Sequence, residues 1–131
     1  MIGKIIKTEE NRDARGILKA VDSIPFAAKR VFFISDVPED AVRGNHFSKT
    51  SRFLYFAVQG GCKVELDDGM HKETYDLSGN EALLFDKNTW MKAYDFQKDT
   101  ILCVMADQAY QSSDYAADYR ELQKIAREKD V

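Results

Sequence analysis

Apolar and polar residues alternate along this chain in short bursts, not in long periodic stretches. Ile2 to Lys7 is predicted as an opening strand, Asn11 to Gly16 as a turn, and Ile17 to Val21 as a second strand. Ile24-Pro25-Phe26 re-enters the pattern. Lys29 to Ile34 is rich in the β-branched and aromatic side chains that favour strands. Ser35 to Asn45 is polar and carries Pro38 and Gly44, which predicts a loop. Phe53 to Val58 is apolar on both faces, as in a strand covered from both sides. Cys62, Val64 and Leu66 alternate with Lys63 and Glu65, a half-buried strand. Asp67-Asp68-Gly69 then predicts a tight hairpin, because Asp-Gly accepts the positive φ of a type I′ turn. Further strands are predicted around Lys72–Leu77, Ala82–Phe85, Trp90–Tyr94 and Thr100–Ala106.

The period changes at the end. From Ser113, a plausible N-cap, Tyr115, Tyr119, Leu122 and Ile125 recur at helical spacing, with Lys124, Arg127 and Lys129 near the negative pole of the dipole. Short strands every eight to twelve residues, closed by one helix, predict an all-β sandwich or barrel with a C-terminal α-helix. The expectation is one domain over 1–131, with a barrel about 1–107 and a helix about 113–128.

Composition narrows the partners. Charged residues make up 31% of the 131 and the net charge is −3, which argues against a nucleic-acid binder that must neutralise many phosphates. No apolar run approaches the ~20 residues of a membrane span, and no signal-like segment opens the chain. Cys62 and Cys103 sit in apolar strands and are expected to be reduced core residues, so a cytoplasmic setting is expected.

The stretch Val42 to Lys49 is the candidate for chemistry. It sets His46, one of two histidines, between Arg43 and Lys49. An imidazole is the side chain best suited to moving protons near neutral pH. The other reading is a solvated loop residue.

Taken in order, Asp13-x-Arg15-Gly16, Pro25-Phe26-x-x-Lys29-Arg30-Val31, Arg43-Gly44-x-His46, Gly60-x-Cys62, Asp67-Asp68-Gly69, Trp90 and Asp114-Tyr115 resemble one cupin family over roughly residues 4–122. These are the sugar-nucleotide 3,4-ketoisomerases that act on dTDP-4-keto-6-deoxyglucose in making 3-amino sugars for bacterial surface glycans. The resemblance implies a jelly-roll barrel, a homodimer with exchanged N-terminal strands, and a nucleotide sugar held without metal or other cofactor. It implies His46 as the catalytic group, and Arg15, Arg30, Arg43, Ser48, Lys49 and Trp90 as substrate-binding residues. For Arg15 and Arg30, surface pairing with Asp13, Asp36 or Glu39 is the alternative; for Trp90 it is barrel packing.

Three departures stand out. The family's Arg-Gly-x-His-Ala-His-Lys has Ser48 at its second histidine, its Lys-Arg-Val-Tyr-Tyr ends here in Phe33, and its histidine after the tryptophan is Met91. Each removes a proton-transfer group. The positions of a metal cupin's ligand set read His46, Ser48, Arg52 and Met91, so no metal is expected. His71, beside a turn, is expected to be solvated. Two functions therefore stand: an active isomerase working through His46, or a catalytically impaired nucleotide-sugar-binding cupin with a regulatory or partner role. A third is an enzyme for another small substrate in which Ser48, Lys49 or Tyr55 has a new role.

Overall fold

The computed structural model describes residues 1–129. Twelve strands precede the helix. They are β1 (Lys4–Lys7), β2 (Glu9–Asp13), β3 (Gly16–Ala20), β4 (Arg30–Ile34), β5 (Arg43–Ser48), β6 (Phe53–Gln59), β7 (Gly61–Asp67) and β8 (Lys72–Ser78). After them come β9 (Glu81–Phe85), β10 (Trp90–Tyr94), β11 (Ile101–Ala106), β12 (Tyr115–Ala116) and the helix α1 (Tyr119–Lys129). Two five-stranded antiparallel sheets, β1-β9-β6-β11-β4 and β12-β5-β10-β7-β8, face each other, and β2 and β3 form a separate ribbon. This is the expected β architecture with one C-terminal helix.

Alternation sorts the side chains. Val64 and Leu66 of β7, Tyr55 and Ala57 of β6, Leu102 and Val104 of β11 and Leu83 of β9 fill the space between the sheets. Burying each of the large aliphatic ones contributes ~1.5–3 kcal/mol. β6 is covered on both faces, as its sequence predicts, since Leu54 and Phe56 pack outward against Val21, Ile24 and Phe26. Ile24-Pro25-Phe26 is therefore not a strand. It is a cover laid over the outer face of the first sheet.

Four boundaries differ from expectation, each for a local reason. The predicted turn at Asn11–Gly16 shrinks to Ala14-Arg15, because Asn11 pairs with Leu18 and Arg12 with Ile17. The predicted loop to Asn45 ends at Val42, since β5 begins at Arg43 and carries His46 on a strand. Asp67-Asp68-Gly69 does not form a two-residue hairpin. Asp68 Oδ1 accepts from the amides of Met70 and His71, which spreads the connection over Asp68–His71 and leaves His71 exposed. Ser113 caps no α-helix: Ser112–Asp114 is a 3₁₀ turn, Tyr115 enters β12, and α1 begins after Asp118, whose Oδ1 accepts from the Arg120 amide at 3.0 Å. The four-residue spacing of Tyr115 and Tyr119 is a coincidence of strand and helix.

The helix lies on the outer face of the second sheet. The Tyr119 hydroxyl donates to buried Asp67 at 3.0 Å, and the Tyr119 ring meets Trp90 edge-on at 5.8 Å. No helix among the described residues is long and apolar enough to cross a membrane.

Candidate active site

Between the sheets, at the end where β4, β5, β6 and β12 converge, lies a cavity of about 110 Å³, lined mainly by apolar atoms. Its polar groups come from Arg30, His46, Ser48, Tyr55, Thr89, Tyr110 and Tyr115.

A bulge aims His46 inward. Met91 pairs with His46, but the next residue of β10, Lys92, pairs with Gly44, so Asn45 stands unpaired. Gly44 (φ 78) and Asn45 (φ 64) both take the left-handed conformation. A Cβ on Gly44 would press the flexible end of Met91 and sit 3.0 Å from the Met91 carbonyl oxygen, so the bulge is tight there, and its φ is the stronger reason for glycine. Trp90 Nε1 donates to Asn45 Oδ1 at 3.0 Å, which pins the bulge from outside. His46 is half-buried. Burial holds its imidazole below the usual value, the nearby Arg43 cation adds to this, and a backbone hydrogen bond opposes it. The ring is therefore neutral at pH 7, the form that accepts a proton.

Arg30 is the second polar anchor. Its Nη1 donates to the Tyr115 hydroxyl at 3.0 Å, and its guanidinium lies 4.2 Å over the Phe32 ring and 4.7 Å over Tyr110. Among the described residues it forms no ion pair, so neither Asp36 nor Glu39 neutralises it. A flat cation held between rings and free of carboxylates is suited to a phosphate.

Ser48 lines the cavity, but its Oγ accepts from the amides of Thr50 at 3.3 Å and Ser51 at 3.0 Å. It closes a turn that an imidazole would not close in the same way. Met91 is also at the cavity, 5% exposed.

The remaining sequence-predicted residues lie elsewhere in the chain. Arg15 sits on the exposed ribbon in an ion pair with Asp13 at 2.7 Å, one of the alternatives its sequence left open. Lys49 pairs with Glu121 of α1 at 3.1 Å. Arg43 is exposed at the start of β5 and reaches the site through its field on His46 and Tyr55. Trp90 faces the helix on the outer side of its sheet, not the cavity. Phe33 is corrected most sharply. It points outward and is 64% exposed, and the phenylalanine of β4 that lines the cavity is its neighbour Phe32. No group of three His, Cys, Asp or Glu side chains that would hold a metal gathers among the described residues.

Tyr110 carried no signal in the sequence, and Tyr115 was given no site role, because a pattern of period four disguised a strand as a helix. Tyr115 stands opposite Ser48 on β12, its ring edge-on to His46 at 5.0 Å.

Residues 1–127 match the family described as FdtA: WxcM-like, C-terminal. The chain is 33% identical over 128 residues to the TDP-4-oxo-6-deoxy-alpha-D-glucose-3,4-oxoisomerase of Aneurinibacillus thermoaerophilus, covering 95% of this chain and 92% of that one. Its fold superposes on the TDP-fucose-3,4-ketoisomerase WlaRA of Campylobacter jejuni with a TM-score of 0.86 at 32% identity, covering 95% and 96% of the two chains. For the 3,4-ketoisomerase QdtA of Thermoanaerobacterium thermosaccharolyticum in complex with TDP, the TM-score is 0.91 at 25% identity, covering 99% and 98%. Matched by the family over residues 1–127 and by a relative at 33% identity across nearly its whole length, the chain belongs to this FdtA/WxcM-like family of cupin-type sugar 3,4-ketoisomerases.

Proposed function

We propose that the protein is a 3,4-ketoisomerase of a TDP-4-keto-6-deoxyhexose, with His46 as its base. The observation that carries this reading is the placement of a neutral, half-buried imidazole and an unneutralised guanidinium in one apolar cavity. The C3 proton, acidified by the C4 ketone, passes to His46, and returning a proton to C4 leaves the ketone at C3. Arg30 holds a phosphate of the nucleotide, flanked by Phe32 and Tyr110. The apolar lining keeps water from the enediolate. Incubation with TDP-4-keto-6-deoxyglucose, followed by NMR, tests the reading; product no faster than in a protein-free control sinks it.

The binding-only alternative leaned on Phe33, Ser48 and Met91. Phe33 is outside the cavity, so it removes no group from it, while Ser48, which also holds a turn, and Met91 line it and leave His46 as its one imidazole. Relatives named as isomerases at 32–33% identity support turnover instead.

The reading extends to a homodimer. The β2–β3 ribbon pairs with no other strand of its own chain, and two-stranded ribbons are marginal alone. It exposes Ile17 (49%) and Leu18 (59%), while edge strand β4 exposes Val31 (54%) and Phe33 (64%). A second copy covers both, and exchange of the ribbon carries Arg15 toward the partner's cavity. A cytoplasmic setting and a role in building surface glycans go with the substrate class.

A further inference from the structure

Shifting a ketone from C4 to C3 moves two protons. One leaves carbon C3 and one reaches carbon C4; one leaves the C3 hydroxyl and one reaches the C4 oxygen. A single imidazole serves the carbon pair. The oxygen pair, where charge develops, needs a group of its own.

The cavity contains one side chain fitted to that task. Tyr55, at the middle of β6, is 3% exposed, with the rings of Phe53 and Phe85 at 6.1 and 5.4 Å. Among the described residues no protein group hydrogen-bonds its phenol, yet no buried side-chain oxygen or nitrogen is sealed away unpaired. The hydroxyl therefore opens on the cavity that Tyr55 lines with His46. A buried phenol with neither an acceptor nor a donor from the protein is an unusual cost unless a ligand supplies both. The other hydroxyls are less buried, less free or less acidic: the Tyr110 phenol belongs to a side chain 60% exposed, in reach of water. Tyr115 oxygen already accepts from Arg30, and Ser48 oxygen accepts from two amides. Thr89 is an aliphatic alcohol, with no phenolic acidity to offer.

We propose that Tyr55 is the oxygen-side proton relay of the isomerisation, its phenol donating to the C4 oxygen while receiving the proton of the C3 hydroxyl. As His46 takes the C3 proton, the C–H pair becomes a C3–C4 double bond and the carbonyl π pair moves to the C4 oxygen. That oxygen takes the Tyr55 proton, and Tyr55 takes the proton of the C3 hydroxyl. The C3 oxygen then forms the new carbonyl as the double-bond pair captures at C4 the proton held by His46. Both side chains end as they began, and no oxidant or reductant is needed. Burial pushes the Tyr55 ionisation well up, with the neighbouring Tyr115 phenol adding to it, so Tyr55 enters as a neutral donor.

The inference rests on the isomerase reading, and Tyr55→Phe separates the two. Turnover of TDP-4-keto-6-deoxyglucose is expected to fall on the order of 10²–10³-fold. Deuterium wash-in at C3 in D₂O should fall with it, while TDP affinity by calorimetry and the melting temperature match wild type. Tyr55→Met, which keeps the apolar floor, should lose turnover equally. A Tyr55→Phe protein within about threefold of wild type overturns the relay alone. Retained C3 exchange without product also overturns it, because the phenol would then act only after carbon has lost its proton. A wild type that binds TDP yet neither exchanges nor converts the sugar overturns the isomerase reading and the relay together.

Discussion

Tyr115 stands edge-on to His46, ring centroids 5.0 Å apart, while its hydroxyl accepts from Arg30 at 3.0 Å. One short strand thus ties the proposed base to the proposed phosphate anchor. Tyr115→Phe keeps the ring against His46 and frees Arg30, so it should weaken TDP binding or turnover by only a few-fold, roughly 1 kcal/mol. Tyr115→Ala removes the wall as well and should cost more in both, which steady-state kinetics would separate.

The pH profile follows from His46. Its value is lowered below 6.5 by burial and by Arg43, so the free-enzyme base stays active until the pH drops below that ordinary value. The acid limb of kcat/KM should lie below 6.5. Arg43→Gln removes a repelling cation and should move that limb upward. For stability the sign is the same: the unfolded imidazole binds protons more readily than the folded one, so acidification from pH 6.5 through the lowered folded value favours unfolding. Thermal melts across that window check the second statement, and His46→Asn should flatten it.

Arg30 should govern nucleotide affinity. Arg30→Gln removes charged hydrogen bonds worth about 1.5–3 kcal/mol, a loss of roughly tenfold to a hundredfold in TDP binding. Arg30→Lys should restore little, because an ammonium cannot lie flat between Phe32 and Tyr110 as the guanidinium does. Calorimetry with TDP reads both variants.

Much of this site was legible in the sequence, and the reasons for the rest are physical. His46 and Arg30 were found because Arg43-Gly44-x-His46 and Lys29-Arg30-Val31 carry local signatures. The strand around His46 was not, because Gly44 and Asn45 read as a loop, and only pairing with β10 shows them to be a bulge. Phe33 and Phe32 are adjacent, and composition cannot say which one alternation turns inward. Trp90 and Lys49 carried plausible ligand chemistry, yet both are engaged by α1 through Tyr119 and Glu121, contacts across long sequence separations. Tyr115 was hidden by a spacing that suits a helix.

The bulge itself makes a sharp prediction. Gly44→Ala meets a left-handed φ and a Met91 carbonyl oxygen at 3.0 Å, so it should destabilise the fold by about 1–3 kcal/mol. Ser48→Ala strips the acceptor from the buried Ser51 amide and should cost about 1–2 kcal/mol. Ser48→His loses the same acceptor and overfills a position that is 3% exposed, so it should lower turnover, not raise it. Urea melts and rates of the three variants test the claim that this turn and bulge position His46.

The most direct measurement is NMR of TDP-4-keto-6-deoxyglucose incubated with the wild-type protein and, in parallel, with His46→Asn. Wild type should convert the 4-ketone to the 3-ketone far faster than a protein-free control, and His46→Asn should not. A wild type that leaves the 4-ketone at the control rate, or a His46→Asn variant as fast as wild type, would contradict the proposed function.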